Sequence, residues 1–291
     1  MRKMLNTAVK IAICSAFIFI SNTNAQNIEA AQISEKAKEI LEKAEKGDRK
    51  AQVEVALLYK IGQDIDKSDT KALYWYEQAA KQNEPNAQNN LASIYLDGDG
   101  VEQDFDKAKY WYKQAAAQNL SVAQYNLGLM YYNGLGERID LEKALVWFEK
   151  AANNGDTDAQ VMLGTMYYKA QGVARNYDQA ILWWQEAANN GNPAAQYNLG
   201  LMYYKGTGVN QDYAQALNWY EKAAEQNFTA AFNNLGTMYE KGYGVAQNLD
   251  FAKWYFNRAC ENNHQKACNN LRILSGEEYQ QNYRNSDKKQ P

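Results

Sequence analysis

Few residues in this chain are of the types that carry out acid–base, nucleophilic or metal chemistry. His264 is the single histidine among 291 residues, so a catalytic triad that needs a histidine base is excluded. Cys260 and Cys268 lie close to it in the sequence, but one histidine and two cysteines fall short of the four ligands that hold a structural zinc ion. We therefore predict no catalytic residue, no metal site and no cofactor.

One short motif has the spacing of a nucleophile site. Residues 68–71 read Ser-Asp-Thr-Lys, which matches the S-x-x-K box of penicillin-recognising enzymes, where the serine attacks the lactam ring. The other two boxes of that chemistry, S-D-N and K-T-G, are absent from the sequence. The same four residues suit a turn that leads into a helix, so we predict a helix start here. Binding or hydrolysis of a β-lactam, with Ser68 as nucleophile, remains an alternative.

The overall charge and the first residues restrict the environment of the protein. A net charge of −3 and a pI near 5.5 argue against a nucleic-acid partner, which requires an excess of Lys and Arg. Residues 1–3 are basic at two positions, residues 11–20 are mainly apolar, and residues 23–25 offer a cleavage site. This order predicts a secretory signal peptide over residues 1–25 and a periplasmic or secreted protein. A membrane anchor is the alternative, but ten apolar residues span only about half of a bilayer.

The elements that carry these residues follow from an internal repeat. One column of alanines recurs every 36 residues: Ala51, Ala87, Ala123, Ala159, Ala195, Ala231 and Ala267. In the first six units leucine (valine in the first) follows four positions later and tyrosine eight positions later, so these side chains share one stripe of a helix, which we call helix A. The residue after the leucine is Ala or Gly, which lets a second helix approach closely. A glycine-containing turn follows, such as Gly98-Asp99-Gly100, which lacks the acidic positions of a calcium loop.

A second helix, helix B, completes each unit. Its pattern is Ala, then Trp or Tyr three positions later, then Ala seven positions after the first, which is typical of an amphipathic helix whose large ring packs against small neighbours. The position after helix B is always Gly or Asn, the residues that tolerate a left-handed conformation: Gly47, Asn83, Asn119, Gly155, Gly191, Asn227 and Asn263. We therefore predict an all-α fold of stacked 36-residue helix-turn-helix repeats forming one continuous domain.

The repeat register divides the chain into five parts. We expect an N-terminal half-repeat cap at residues 26–50, a partial C-terminal capping helix at residues 267–274, and a polar, disordered tail at residues 275–291, after the signal at residues 1–25. Six full repeats lie between the caps, at residues 51–86, 87–122, 123–158, 159–194, 195–230 and 231–266. We predict no transmembrane segment in the mature chain, and a monomer or weak oligomer.

The unit AQYNLGLMYYKGTGVNQDYAQALNWYEKAAEQN at residues 195–227 resembles Sel-1-like repeats, which are related to tetratricopeptide repeats. The resemblance covers about residues 35–272. It implies a right-handed α-solenoid that serves as a non-catalytic scaffold or adaptor for other proteins. The first repeat departs most from the pattern, with Ala56 in the small column and Asp64 in place of a turn glycine. Glu137 and Ala170 are smaller departures.

Cys260 and Cys268 lie on either side of the turn that follows the last helix B. A short turn can bring the two side chains within disulfide reach, and export favours the oxidised form. The pair is similar to the cysteine-rich branch of the Sel-1-like family, in which a bridge joins helix B to the following helix A. Two free, buried cysteines are the alternative.

The resemblance also indicates where a partner binds. In related solenoids helix A lines the concave face, so we expect helix-A side chains off the Ala-Leu-Tyr stripe to bind a protein or peptide. The candidates are Tyr125, Tyr132, Tyr168, Tyr197 and Tyr204, together with Lys169, Lys205, Lys241, Asn198 and Asn234. The lysines suit an acidic segment or a C-terminal carboxylate. Alternatively, the tyrosines serve in inter-repeat packing and the lysines form a solvated rim.

The leading functional hypothesis is thus a periplasmic or secreted adaptor that binds a protein or peptide along its concave face. A more specific version is an immunity or inhibitor protein directed against a secreted toxin or effector, since similar repeats occur in that setting. A secreted factor that acts on host cells is a further version. The sequence does not name the partner.

Overall fold

The computed structural model describes residues 34–276, which form α-helices joined by short turns without any strand. Fourteen helices cover this part of the chain: α1 Glu35–Glu45, α2 Arg49–Ile61, α3 Asp69–Lys81, α4 Pro85–Asp97, α5 Phe105–Ala117, α6 Ser121–Asn133, α7 Leu141–Asn153, α8 Thr157–Lys169, α9 Tyr177–Asn189, α10 Pro193–Lys205, α11 Tyr213–Glu225, α12 Thr229–Lys241, α13 Leu249–Glu261 and α14 Gln265–Leu274. The signal peptide predicted at residues 1–25 and the tail from residue 277 onward lie outside the described residues.

The helices stack in the order of the sequence. Helices A of the six repeats are α2, α4, α6, α8, α10 and α12, and each packs against the helix B that follows it and the helix B that precedes it. All extensive helix–helix contacts among the described residues join neighbours along the chain, as expected when each repeat touches only the next. None of the described helices is both long and apolar enough to cross a membrane.

The alanine and leucine columns form the core. Ala87, Ala123 and Ala159 of helix A and Ala108 and Ala144 of helix B are fully buried, and alanine at these positions lets the helix backbones approach closely. The leucines of helix A fill the space between them and have no solvent exposure: Leu91, Leu127, Leu163, Leu199 and Leu235. The predicted stripe of helix A is therefore confirmed in its alanine and leucine positions.

The ring that packs against the small column is one residue later than we predicted. The tryptophan column of helix B is partly exposed in most repeats, whereas the next residue is a buried aromatic in every repeat: Tyr76, Tyr112, Phe148, Trp184, Tyr220 and Phe256. A Cβ added to Gly128 would lie 2.7 Å from the Phe148 ring. The glycine therefore makes room for the ring of the following helix.

A buried glutamine column, which the sequence analysis overlooked, joins successive repeats. Gln124 donates from Nε2 to the Ala116 carbonyl (3.1 Å), at the end of the preceding helix B, and accepts at Oε1 from Asn154 Nδ2 (2.8 Å). Gln52 and Gln88 make the same pair of bonds in the first two repeats. The Ala116 carbonyl also accepts from the backbone N–H of Asn119 (3.1 Å), so the glutamine adds a second hydrogen bond there and links the ends of two successive helices B. The signal in the sequence is the Ala-Gln dipeptide that begins five of the six repeats.

The turns adopt the left-handed conformation that the Gly and Asn columns predict. Asn83 and Asn119 have φ of 62° and 61°, and Gly155 has φ of 83°. Two positions that depart from glycine in the turn after helix A adopt the same conformation, since Asp64 has φ of 61° and Ala170 has φ of 59°. The fold therefore imposes a left-handed turn even where the side chain disfavours it.

Candidate functional site

The candidate site is the surface formed by helix-A side chains off the buried stripe, which we call the helix-A face. All ten predicted binding residues lie on α6, α8, α10 or α12. The three lysines are exposed, while the five tyrosines and the two asparagines are half-buried. The face therefore has a partly buried aromatic and amide floor with cationic side chains at its outer edge.

The tyrosines serve in packing as well as in forming the surface. The ring centroid of Tyr168 lies 5.7 Å from that of Trp184, and the Tyr197 ring lies 5.7 Å from Tyr220. Tyr125, Tyr132 and Tyr204 contact helix-B aromatics in the same way. In each of these pairs the tyrosine of helix A contacts a ring of helix B in the same repeat, so all five tyrosines serve in packing within a repeat. Truncating them would disturb the core together with any binding surface.

Burial and hydrogen bonding fix the amides of this face. Burial raises the pKa of the Tyr197 hydroxyl, and a hydrogen bond with Asn234 offsets part of this effect. Asn126 donates to Asn89 Oδ1 of the preceding repeat (3.1 Å), and Asn270 donates to Asn233 (3.2 Å). These bonds connect successive helices A, so the amides are held in a row along the face.

An open cleft lies between α8 and α10 and contains four of the predicted residues. Its volume is about 320 Å³, and its lining side chains are Thr165, Tyr168, Lys169, Trp184, Asn198, Leu201, Met202 and Lys205. Met202 and Trp184 form an apolar base, Asn198 supplies an amide, and Lys169 and Lys205 stand at the rim. The combination of apolar base, amide and charged rim suits an extended peptide, whose backbone and side chains need both kinds of contact.

An equivalent cleft lies three repeats earlier, between α2 and α4, and the sequence analysis did not predict it. It has a volume of about 230 Å³ and is lined by Leu57, Lys60, Tyr76, Asn90, Ser93, Ile94, Asp97 and Asp99. Most of these positions correspond to those of the later cleft at a spacing of 108 residues. Lys60 pairs with Asp99 and lies 3.6 Å from Asp69. The sequence does contain a signal for this cleft, because the same repeat columns in the first two units contain the charged residues Lys60 and Asp97.

The motifs first considered for chemistry have structural roles. Ser68 Oγ accepts a hydrogen bond from the Lys71 backbone N–H (3.3 Å) and so caps α3. The Lys71 ammonium lies 5.1 Å from the centroid of the Tyr59 ring. His264 caps α14 by accepting from the Ala267 N–H at Nδ1 (3.2 Å). No group of three or more His, Cys, Asp or Glu side chains among the described residues is arranged to hold a metal ion.

The two cysteines of the described chain lie together at its C-terminal end. Cys260 is in the last turn of α13 and Cys268 in the first half of α14, and their Cα atoms are 4.7 Å apart. This distance is within the range of disulfide-bonded residues. The pair joins the last helix B to the capping helix, at the position where the sequence predicts a bridge.

Stacked helix pairs with an open face of aromatic, amide and charged side chains define an α-solenoid repeat protein. A model of the Sel1 repeat matches residues 49–84, 85–120, 121–156, 157–192, 193–228 and 230–264. The chain belongs to the Sel1 repeat family. The resemblance noted from the sequence is therefore confirmed.

Two solved structures have similar folds. One is a protective antigen present in uropathogenic Escherichia coli strains and displaying an SLR fold, with 34% identity and a TM-score of 0.79, over 84% of this chain and 52% of the antigen. The other is a Sel1 repeat protein from Oxalobacter formigenes, with 29% identity and a TM-score of 0.70, over 78% of this chain and 99% of that protein. The chain spans about half the length of the antigen. The comparison with curated proteins gives no match. The predicted right-handed α-solenoid is confirmed by these likenesses.

Proposed function

We propose that this protein is a non-catalytic adaptor that binds a protein or peptide along its helix-A face, in the periplasm or outside the cell. The observation that carries the proposal is the cleft between α8 and α10, where the Asn198 amide and the exposed Lys169 and Lys205 surround an apolar base. Because rigid helices hold these side chains, the backbone does not have to become ordered when a partner binds, which lowers the entropic cost of binding.

The proposal predicts that partner binding depends on exposed residues of this cleft. The test variant is Lys169→Ala/Asn198→Ala/Lys205→Ala, which leaves the tyrosine and tryptophan rings of the core unchanged. The matched control is Lys113→Ala/Gln114→Ala, two exposed residues of helix B in α5. Tagged wild type and variants are used to capture partners from the cell envelope, and the captured proteins are identified by mass spectrometry.

We expect a partner that is captured by the wild type and the control but lost from the cleft variant. Circular dichroism of each variant checks that the helical content is unchanged. A partner retained equally by all three proteins would contradict binding along the helix-A face. Loss of the partner from the control alone would assign binding to the helix-B side of the solenoid.

Export is supported by the signal-like order of residues 1–25 and by the neighbouring Cys260 and Cys268, since disulfides persist in oxidising compartments. We expect the protein to fractionate with periplasmic or secreted material and to begin near Gln26. N-terminal sequencing of the natural protein tests this. A mature chain that retains Met1 and stays in the cytoplasm would contradict it.

The non-catalytic part of the proposal is supported by the helix-capping role of the Ser68 hydroxyl. We expect no turnover of nitrocefin by the wild-type protein. Hydrolysis by the wild type that is lost in Ser68→Ala, with the fold intact, would establish a β-lactam-directed enzyme instead.

A further inference from the structure

The two equivalent clefts of the helix-A face carry opposite charge. The cleft between α2 and α4 is lined by one lysine and two aspartates, Lys60, Asp97 and Asp99, for a formal charge of +1 − 2 = −1. The cleft between α8 and α10 is lined by two lysines, Lys169 and Lys205, and no acid, for a formal charge of +2. Both clefts have the same base of an aromatic ring, an amide and an apolar side chain, so charge is the main difference between them.

Among the described residues, the pairing of these side chains leaves one unpaired acidic side chain in the α2–α4 cleft. Lys60 is bonded to Asp99, so its charge is neutralised and the exposed carboxylate of Asp97 remains. A neighbouring cleft between α1 and α2, which shares Leu57, adds Glu54 and Asp64 against Lys36. The N-terminal end of the helix-A face is therefore acidic over two successive clefts.

The region between the two ends is uncharged at the corresponding positions. In the third repeat, Tyr132 occupies the position that is Lys60 in the first repeat and Tyr168 in the fourth. Asn133 occupies the position that is Ile61 in the first repeat and Lys169 in the fourth. Tyr132 donates its hydroxyl to Gln171 (3.3 Å) in the following repeat, so this segment contributes neutral polar contacts. The face thus passes from acidic through neutral to basic along the solenoid.

We propose that the helix-A face binds an extended peptide segment with a cationic end and an anionic end, in one fixed direction. The cationic end lies in the α2–α4 cleft beside Asp97, and the anionic end, an acidic side chain or a C-terminal carboxylate, lies between Lys169 and Lys205. This inference rests on the proposed function, because it names the chemistry of the partner that binds the same face. Opposite charges at the two ends exclude partners of the wrong charge order more than they add affinity.

The spacing of the clefts sets the length of the segment. Successive helices A are joined by side-chain hydrogen bonds such as that of Asn126 with Asn89, which places them roughly 10 Å apart, near the spacing of packed helices. Three repeats therefore separate the two clefts by roughly 30 Å. An extended chain advances about 3.3 Å per residue, so the charged ends of the peptide are expected to lie about nine residues apart.

Three synthetic peptides test this inference against the full-length protein. Each is fluorescently labelled, capped at both ends and of the same length, with about nine residues between the charged ends as derived above. The bipolar peptide has two lysines at one end and two glutamates at the other, the second has lysines at both ends, and the third has glutamates at both ends. Binding is measured by fluorescence anisotropy at low and at high salt, because exposed ion pairs are screened by salt.

We expect the wild type to bind the bipolar peptide about tenfold more tightly than either of the others at low salt, a difference of about 1.4 kcal/mol. Two charge-swapped proteins reverse the order. Lys169→Glu/Lys205→Glu is expected to prefer the peptide with lysines at both ends, and Glu54→Lys/Asp97→Lys the peptide with glutamates at both ends. All four side chains are exposed, so the swaps leave the core unchanged.

The outcomes separate this inference from the proposed function. Equal binding of the three peptides, or a preference that the swaps do not change, would overturn the inference and leave binding along the helix-A face intact. No binding of any peptide to the wild type or to the charge-swapped proteins would also overturn the inference, whereas the proposed function is decided by the capture experiment.

Discussion

The Cα atom of Gly164 lies against the indole ring of Trp184, so closely that a Cβ built on Gly164 would be 2.4 Å from the indole Nε1. The contact joins helix A and helix B of the fourth repeat. Trp184 also donates from Nε1 to the Val161 carbonyl of helix A (3.2 Å), which fixes the position of the ring. The glycine is thus required by the ring opposite, even though glycine weakens a helix interior.

We predict that Gly164→Ala lowers the free energy of unfolding. Alanine gains about 1 kcal/mol in helix propensity, but overpacking a rigid core costs about 1–3 kcal/mol, so the net effect is expected to be destabilising. Gly164→Ala/Trp184→Tyr recreates the native pair Ala92 and Tyr112 of the second repeat and should recover part of the loss. Thermal unfolding followed by circular dichroism gives both values. If the double variant loses as much free energy of unfolding as the two single variants together, the contact between residues 164 and 184 is not the cause of the destabilisation.

A second prediction concerns Ala170, which adopts φ of 59° at a position where other repeats have glycine. A left-handed conformation costs an L-residue about 1–2 kcal/mol, and replacing Ala170 with glycine removes this cost. The greater freedom of glycine in the unfolded chain offsets part of the stabilisation. Ala170→Gly is therefore expected to stabilise the protein by about 1 kcal/mol. Ala117→Gly, at the exposed end of α5, is the control and should be destabilising. If both variants are destabilising, the turn at Ala170 is not strained.

The glutamine column gives a third prediction. Gln124 is buried and bonds both to the Ala116 carbonyl and to Asn154. Gln124→Met keeps the approximate shape but removes both side-chain hydrogen bonds, each of which is expected to contribute about 0.5–1.5 kcal/mol. Gln114→Met, on the exposed side of α5, should change stability by less than about 0.5 kcal/mol. Chemical unfolding curves give the stability of each variant. Similar stabilities would mean that Gln124 does not stabilise the junction between successive repeats.

The solenoid can be predicted well from the sequence because the same residue types recur every 36 residues. The Gly and Asn column after helix B identifies the left-handed turns directly, since few other residues tolerate that conformation. Periodicity does not reveal which of two adjacent aromatics, such as Trp147 and Phe148, faces the core, because both lie near the buried side of the helix. Gln124 was not predicted as a core residue because glutamine is usually exposed in folded proteins.

The candidate site could be predicted only in part, because the repeat columns place residues on a face but do not show which of them contact each other. Helix-A positions follow from the repeat register, so Lys169 and Lys205 were placed on one face. Whether a charge is free or paired depends on contacts between repeats, such as that of Lys60 with Asp99, 39 residues later. Such contacts depend on the turn geometry between units, which the spacing of columns does not determine.

A fourth prediction concerns pH. The backbone N–H of Lys107, with its ammonium, holds the pKa of Asp104 below its ordinary value, and the ammonium and N–H of Lys143 do the same for Asp140. The folded-state pKa of each cap is thus lower than the unfolded-state pKa, near 3.9. Their stabilising effect is therefore present above about pH 4 and is lost as the pH falls through the lowered folded-state values.

Asparagine caps a helix without titrating, and Asn176 and Asn248 occupy the same column in other repeats. Asp104→Asn/Asp140→Asn should therefore remain folded at pH 7 and lose less thermal stability than the wild type as the pH falls below about 4. The melting temperature measured at successive pH values tests this. Asp106→Asn, in the first turn but not at the cap, is the control. Parallel pH profiles for the wild type and the double variant would rule out the caps as a source of acid sensitivity.

The last prediction concerns the cysteine pair, which joins α13 to α14 across a sequence separation of eight residues. Among the described residues, α14 packs extensively against α13 alone, so the bridge joins α14 to its main neighbour. A bridge across so short a loop is expected to stabilise the protein by about 2–3 kcal/mol. Adding a reductant should therefore lower the melting temperature of the wild type.

Cys260→Ala/Cys268→Ala should be less stable than the oxidised wild type and should not respond to reductant. A thiol assay on the denatured, mature protein should find no free thiol, because Cys14 lies in the segment predicted to be removed. Two free thiols, together with a melting temperature unaffected by reductant, would show that the cysteines act as buried apolar side chains. In that case the C-terminal end is stabilised by packing alone, and replacing both residues with alanine would change stability by no more than about 1 kcal/mol.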